Sequence, residues 1–299
     1  MFDMSELDLL PEGCAGEDIT EGCLVLEGGA WRGMYTQGVL DALMEEDINF
    51  QTTVGVSAGA LSSIGYLSGQ IGYTVRINLK HRHDQNYVGL GAMAQDHGIT
   101  GFSYLFGDIM NKELFDEGRF FEPERRLLVT ATNIETGKEE FFEKGKCTDI
   151  FKAIQASATV PYISEAVEID GNWYLDGGIG CKIPYYWPRN EGFSKVVVVR
   201  TRDRKFRKVM EQPISVIRQE YKKYPELRLA LEEETPRYNL LLDRLDVLEE
   251  QGDVFVLAPS VPVEISRFEG DLEALSSLYW LGYHDTKKEK DRLLDYLNS

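Results

Sequence analysis

Short apolar runs alternate with longer segments of helical periodicity along most of this chain. Runs of β-branched and other apolar residues predict strands at 23–27, 51–56, 126–132, 195–200 and 253–258. Apolar residues three and four positions apart predict helices at 34–46, 58–68, 148–157 and 211–248, the last one broken near Pro225 and Pro236. This alternation is typical of a three-layer α/β/α fold with a mostly parallel central sheet.

The remaining segments complete the predicted organisation. Turn residues predict hairpins around Glu135–Lys138 and Asp170-Gly171. From Val261 the pattern predicts two short helices. We therefore expect an acidic leader over 1–21, one main domain over 22–260 and a C-terminal helical appendage over 261–299.

The stretch from Gly69 to Glu122 has no clear period. It is rich in glycine, histidine and aromatic residues, the latter including Phe102, Tyr104, Phe106 and Phe115. Buried core aromatics are the common meaning of such a set. The alternative is a lid or wall over a ligand site.

Composition and charge exclude several function classes. The chain has 299 residues, 43% of them hydrophobic, and a net charge of −18, which disfavours nucleic-acid partners and strong adsorption to anionic membranes. It has no run of 18 apolar residues and no basic leader followed by an apolar stretch, so we expect a cytoplasmic protein. The four cysteines show no C-x-x-C spacing, so we expect neither a metal site, nor disulfides, nor another cofactor.

A serine in the sequence Gly55-Val56-Ser57-Ala58-Gly59 is the first candidate for chemistry. It lies between a predicted strand and a predicted helix, which is the context of a nucleophile elbow. The glycines permit a sharp turn that lifts the hydroxyl out of the sheet. A Gly/Ser-rich strand–helix turn without catalysis is the alternative interpretation.

Two further motifs lie at the ends of predicted strands. The segment from Glu27 to Gly33 contains Gly28 and Gly29 directly before a predicted helix, and such a loop presents backbone N–H groups to an anion. The second motif is Asp176-Gly177-Gly178, which follows a predicted strand. Taken alone, each motif is also compatible with a simple turn.

Together these motifs resemble the patatin-like phospholipase family, and they look closest to its bacterial members. The residues that match are, in chain order, Gly28, Gly29, Arg32, Gly33, Gly55, Ser57, Gly59, the Ala156–Pro161 segment, Asp176, Gly177 and Gly178. The similarity extends from about Gly22 to Val254–Leu257. It implies that residues 22–260 form a patatin-like acyl hydrolase domain.

The resemblance also implies the roles of individual residues. Ser57 would be the nucleophile and Asp176 the base of a dyad without histidine, and Gly28, Gly29 and Ala30 would supply the oxyanion hole. The family usually has a third glycine at the position of Ala30. A left-handed backbone at this alanine would cost about 1 kcal/mol or more.

The implied function is a serine acyl hydrolase acting on lipid-like carboxyl esters, and the 69–122 stretch would then be a wall for the acyl chain. One alternative is a regulatory or lipid-binding protein with little turnover. Another is a Ser–Asp–His triad, for which His284 is the candidate because the other three histidines precede Asp176. The setting of His284 is typical of the last turn of a helix.

One segment differs from the acidic remainder of the chain. Residues 200–208 contain six basic groups and one acidic group and follow the predicted strand 195–200, at the sheet edge where ligand sites of α/β proteins gather. A solvated loop is the first interpretation. The second is contact with a headgroup phosphate or a lipid surface, which would give weak peripheral attachment to the inner membrane face.

Overall fold

The computed structural model describes residues 2–210 and 213–299. Its strands are β1 (Gly13–Cys14), β2 (Thr20–Leu26), β3 (Phe50–Val56), β4 (Gln70–Ile71), β5 (Arg126–Asn133), β6 (Glu139–Glu143), β7 (Val167–Ile169), β8 (Asn172–Asp176), β9 (Val196–Val199) and β10 (Phe255–Leu257). The first residue of the predicted leader and the first two of the predicted helix 211–248 lie outside the described residues.

Helices connect most of these strands. The α-helices are α1 (Gly33–Glu45), α2 (Ala58–Leu67), α3 (Tyr73–His81), α4 (Leu90–Asp96), α5 (Met110–Lys112), α6 (Glu117–Phe120), α7 (Ile150–Ser157), α8 (Gly177–Gly180), α9 (Tyr186–Asn190), α10 (Ile214–Glu220), α11 (Pro225–Glu250) and α12 (Leu272–Asn298). Two short 3₁₀ segments, Met4–Leu9 and Ala30–Arg32, and one π-helical segment, Tyr104–Ile109, complete the set in the described part of the chain.

Within the described residues, eight strands form the central sheet in the order β10-β9-β2-β3-β5-β8-β7, with β6 also paired to β5. The five strands from β10 to β5 are parallel, and β6, β7 and β8 are antiparallel additions at one side. The predicted fold class, a three-layer arrangement around a mostly parallel sheet, is confirmed. The carboxyl ends of β2 and β3 therefore lie side by side.

The sheet is covered on both faces. In β2, Leu24 and Leu26 belong to the core cluster shared with α1, α2, α7 and α12. Cys23 and Val25, which point to the other face, belong to the cluster shared with α11. Successive side chains of β2 thus point to opposite faces of the sheet, and both faces are buried. For this reason β2 is a continuous apolar run.

Both predicted hairpins are confirmed. β5 and β6 are joined around Gly137, and β7 and β8 are joined by Asp170 and Gly171. Asp170 has φ 49° and Gly171 has φ 82°, the pair of left-handed residues that a tight two-residue hairpin requires.

Two helix predictions are wrong in detail. The predicted break at Pro225 is confirmed, because this proline begins α11. The predicted break at Pro236 is wrong, because α11 continues through this residue. Tyr238, Leu242 and Leu245 beyond Pro236 are buried against the sheet. The free energy of this burial offsets the cost of the helical hydrogen bond that proline removes. The C-terminal part forms one helix of 27 residues instead of two short ones.

Helix α12 is part of the main core. Leu275, Leu278, Tyr279 and Leu293 are buried in the same cluster as α1 and α2, and Gly282 lies where α12 meets α1. Among residues 2–210 and 213–299, no helix combines the length and the apolar character needed to cross a bilayer.

Candidate active site

Ser57 occupies a strained turn between β3 and α2. Its backbone has φ 52° and ψ −119°, a region that non-glycine residues rarely adopt. A Cβ added at Gly55 would lie 2.7 Å from the Ala60 Cα atom, and one added at Gly59 would lie 2.5 Å from the Leu26 carbonyl oxygen. The two glycines are therefore required for the helix to pack this closely after the serine.

Ser157 supports this turn from the end of α7. Its buried hydroxyl accepts a 2.8 Å hydrogen bond from the Ser57 backbone N–H. Ser157 belongs to the Ala156–Pro161 segment, which is one of the segments that resemble the family. Its contact partner Ser57 lies 100 residues earlier in the chain. The elbow conformation thus depends on a partner that local sequence does not indicate.

The structure brings Ser57 and Asp176 together. The Ser57 hydroxyl donates a 2.7 Å hydrogen bond to Asp176 Oδ2. The other carboxylate oxygen, Oδ1, accepts a 2.7 Å bond from the Gly178 N–H, and the Asp176 carbonyl accepts a bond from the Thr132 hydroxyl. These contacts fix the carboxylate with one oxygen directed at the serine.

Burial raises the pKa of Asp176 above the usual range of an aspartate. The charge of Lys182 and the hydrogen bond from Ser57 lower the pKa in part, without cancelling the effect of burial. A carboxylate with a raised pKa is a stronger base at neutral pH. This is the chemical property that proton removal from a serine requires.

The glycine-rich loop after β2 passes directly beside Ser57. A Cβ added at Gly28 would lie 3.0 Å from the Ser57 Cβ, so a side chain there would crowd Ser57. The loop is anchored by the buried Glu27, whose carboxylate accepts bonds from the Thr201 backbone N–H and the Tyr238 hydroxyl. The backbone of this loop is thereby held within reach of the Ser57 hydroxyl.

Ala30 adopts the left-handed conformation, with φ 49°. The strain follows from its Cβ, which crowds the following carbonyl in this region. We expect Ala30→Gly to raise the free energy of unfolding by about 0.5–1 kcal/mol, measured by urea denaturation. Ala94→Gly, in the exposed part of α4, is the control and should lower it by about 1 kcal/mol. Equal losses in both variants would contradict strain at Ala30.

A cavity opens beside Ser57 and Asp176. Part of its wall is apolar and comes from the 69–122 stretch, including Tyr73, Ile77 and Leu105. Phe102 is buried, and the partly buried Phe106 and Phe115 pack around Phe151 against the core. The stretch thus contains buried core aromatics, and other residues of the same stretch form a cavity wall.

The basic segment 200–208 is a loop held against α11, and its interpretation as a solvated loop applies only to part of it, since Arg204 and Lys205 are exposed. Arg200 is fully buried and donates to Asp246. Arg204 is paired with Glu249, and Arg207 with Asp243 and Asp246. Contact of this segment with a lipid surface stays a prediction, with less charge available because α11 neutralises these cations.

His284 does not reach Ser57 and Asp176. It lies in the middle of α12, exposed and stacked on Trp280 with ring centroids 5.7 Å apart, so its predicted place in a last helical turn is wrong. No histidine of the described residues lines the cavity beside Ser57. The geometry therefore gives no partner for a Ser–Asp–His triad.

Comparison with known families identifies the fold. A profile described as patatin-like phospholipase matches residues 24–186, more than half of the chain. The chain belongs to the patatin-like phospholipase family. Ser57, Asp176 and the glycine loop all lie within the matched residues. A second profile, described as a domain of unknown function (DUF6363), matches residues 224–298, which include all of α11 and all of α12.

Similar proteins come from bacteria and viruses. The uncharacterized protein YjjU of Escherichia coli K12 is 27% identical over 60% of this chain and 51% of its own length. The probable lipid hydrolase 463L of Invertebrate iridescent virus 6 is 30% identical over 54% of this chain and 61% of its own length. The similarity therefore covers between half and two thirds of the length of each of these relatives. The crystal structure of VipD from Legionella pneumophila aligns with 96% of this chain and 70% of its own, at 16% identity and a TM-score of 0.49.

Several residues at the site were not predicted. Lys182 and Glu234 line the cavity and form a 2.9 Å ion pair, and Arg267 lines the same cavity. Lys182 follows Asp176 by six residues, a spacing that no motif marks. Glu234 and Arg267 come from the C-terminal region, where only the tertiary structure reveals their proximity to the dyad.

Proposed function

We propose that this chain is a serine acyl hydrolase that acts on lipid-like carboxyl esters, with Ser57 as nucleophile and Asp176 as base. The observation that carries the proposal is the 2.7 Å hydrogen bond from the Ser57 hydroxyl to Asp176 on a strained elbow. Family membership supports it, as does a relative named a probable lipid hydrolase.

The reaction follows from this geometry. Ser57 Oγ attacks the ester carbonyl carbon while its proton passes to Asp176 Oδ2. The N–H groups of Gly28, Gly29 and Ala30 stabilise the oxyanion, each worth about 3 kcal/mol in comparable sites. The bond to the alcohol then breaks, and the alcohol leaves with the proton from Asp176. A water molecule then attacks the acyl carbon while its proton passes to Asp176. The bond between the acyl carbon and Ser57 Oγ breaks, Oγ takes up that proton, and the carboxylic acid leaves.

The substrate class follows from the base and the cavity. An aspartate is a weaker base than histidine, so a dyad favours esters with good leaving groups over amides. The apolar wall of Tyr73, Ile77 and Leu105 fits a hydrocarbon chain next to the reacting carbonyl. A lipid-like ester satisfies both conditions.

A fluorophosphonate probe tests the proposal directly, because it labels only activated serines. Incubation of the pure protein followed by peptide mapping should place the label on Ser57. The Ser57→Ala variant should take up no label. Absence of label from the folded wild-type protein would favour a lipid-binding protein without turnover, and a label on another serine would contradict the assignment.

The pH dependence provides a second test. Only the ionised carboxylate of Asp176 can accept the serine proton, so activity is lost as pH falls through its pKa. Because burial raises that pKa, the ascending limb of kcat/KM should lie above the value of about 3.9 for an ordinary aspartate. Hydrolysis of p-nitrophenyl butyrate between pH 4 and 9 measures it. If the ascending limb of kcat/KM disappeared in the His284→Asn variant, the titrating group would be His284 and not Asp176.

A further inference from the structure

Two carboxylates at the cavity lie near the same ammonium group, that of Lys182. We propose that Glu234 of α11 is a positioning residue for the base: it holds the Lys182 ammonium back from the Asp176 carboxylate and thereby sets the basicity of Asp176. The proposal rests on the proposed function and deepens it. It also gives a role to residues 224–298, which match the profile described as a domain of unknown function.

The distances from the ammonium distinguish the two carboxylates. The Lys182 ammonium lies 2.9 Å from a carboxylate oxygen of Glu234. A Cβ added at Gly178 would lie 3.2 Å from this ammonium and 2.9 Å from Asp176 Oδ1. The ammonium is therefore within about 6 Å of Oδ1, close enough for its charge to act on that carboxylate. Among the described residues, Lys182 forms an ion pair with Glu234 and none with Asp176.

Partial burial strengthens the effect of these charges. The side chains of Lys182 and Glu234 are only 21% and 17% exposed, and both line the cavity. Charges that are partly withdrawn from water are screened less than surface charges. A change in either side chain should therefore alter the proton affinity of Asp176.

The pKa values of the two carboxylates move in opposite directions. Burial raises the pKa of Asp176, and the charge of Lys182 lowers it only in part. Burial also acts to raise the pKa of Glu234, but the ammonium groups of Lys182 and Lys208 outweigh it and lower the pKa to about 2. Carboxylates with pKa values pushed apart by their surroundings have separate acid–base roles. Glu234 is a permanent counter-ion at neutral pH, whereas Asp176 keeps the basicity that proton removal requires.

Other charged groups surround this pair. Among the described residues that line the cavity, the remaining charged side chains are Arg32, Lys208 and Arg267. Lys208 lies 2.6 Å from Glu234 and is held by the same carboxylate. The charge of Arg267 also lowers the pKa of Asp176, but by less than the charge of Lys182 does. Lys182 is therefore the cation with the largest effect on Asp176.

Helix α11 is fixed against the site by neighbours of Glu234. Arg237 donates a hydrogen bond to the Ile179 carbonyl in α8, the short helix that begins directly after the base. The buried Tyr238 donates its hydroxyl proton to the Glu27 carboxylate, at the start of the glycine loop. Residues at positions i, i+3 and i+4 of a helix lie on one face. Glu234 is therefore held at the site by contacts other than its own ion pairs.

Removing either member of the ion pair should have an opposite effect on the base. Without the Glu234 charge, the other carboxylate that lines the cavity and can attract Lys182 is Asp176. A direct ion pair with Lys182 would lower the pKa of Asp176 and make it a weaker base. Without Lys182, less positive charge opposes the effect of burial, so the pKa of Asp176 would rise.

The pH profile of kcat/KM for p-nitrophenyl butyrate tests the proposal, because its ascending limb reports the pKa of the base in the free enzyme. We expect this limb to lie about one pH unit higher in Lys182→Met than in the wild type, and about one pH unit lower in Glu234→Gln. The double variant should lie between the two, since both charges of the pair are removed. The matched controls Lys205→Met and Glu233→Gln, at exposed positions that do not line the cavity, should leave the limb in place.

A limb that stays in place or moves to higher pH in Glu234→Gln would overturn the proposal, as would a limb that does not rise in Lys182→Met. Loss of structure would lower activity without moving the limb in opposite directions, and thermal unfolding of each variant measures it. The proposed function fails separately, if Asp176→Asn keeps its activity or fluorophosphonate does not label Ser57. A labelled Ser57 and an inactive Asp176→Asn, combined with limbs that do not move, would contradict the role of Glu234 alone.

Discussion

Ser57→Ala and Asp176→Asn are each expected to abolish hydrolysis of short p-nitrophenyl esters, with a loss of about 10⁴-fold or more in kcat. The Ser57 hydroxyl donates a 2.7 Å hydrogen bond to Asp176 and passes its proton to this carboxylate in the proposed reaction, so neither group retains its role without the other. The double variant should therefore be no less active than either single one. Steady-state kinetics with p-nitrophenyl butyrate measure all three.

The matched control for the dyad is His284→Asn. His284 is exposed in α12 and does not line the cavity, so its loss should change activity by less than about tenfold. Thermal unfolding of each variant establishes that the fold is intact. Near-wild-type activity in a folded Asp176→Asn protein would contradict the dyad, and a loss in His284→Asn as large as in Ser57→Ala would indicate a histidine-dependent mechanism.

Gly282→Ala is expected to lower the free energy of unfolding by about 3 kcal/mol. A Cβ at Gly282 would lie 2.1 Å from the Tyr35 carbonyl oxygen. Because that oxygen belongs to the backbone of α1, only a shift of one helix against the other could relieve the clash. The reciprocal position is equally crowded, because a Cβ added at Gly38 of α1 would lie 2.0 Å from the Tyr279 carbonyl oxygen. Urea denaturation measures the loss.

Gly107→Ala is the control for this substitution. Gly107 is an exposed helical glycine with no heavy atom within 4 Å of the added Cβ position, so the same change should not lower stability and should raise it by about 0.5–1 kcal/mol. Because α1 begins directly after the glycine loop, Gly282→Ala should also lower esterase activity. Unchanged stability in Gly282→Ala would contradict the close packing of α12 on α1.

The segments that meet at the candidate site could be recognised in the sequence because each motif is local, whereas the roles of their residues came from the family resemblance. A glycine on either side of Ser57, two glycines after β2 and two after Asp176 are backbone requirements of tight turns, which sequence displays directly. The positions of the main strands and the type of fold were predictable for the same reason. Their apolar runs reflect burial on both faces of a parallel sheet.

The tertiary structure alone decided what surrounds the dyad. Ser157 supports the elbow from 100 residues away, and Glu234 and Arg267 reach the cavity from the C-terminal region. The basic segment 200–208 had a local pattern of exposed charge, but the acidic face of α11 pairs with it. Pairing between distant segments depends on how helices pack across the sheet. The pattern of residue types along the chain does not show which distant segments come close together in space.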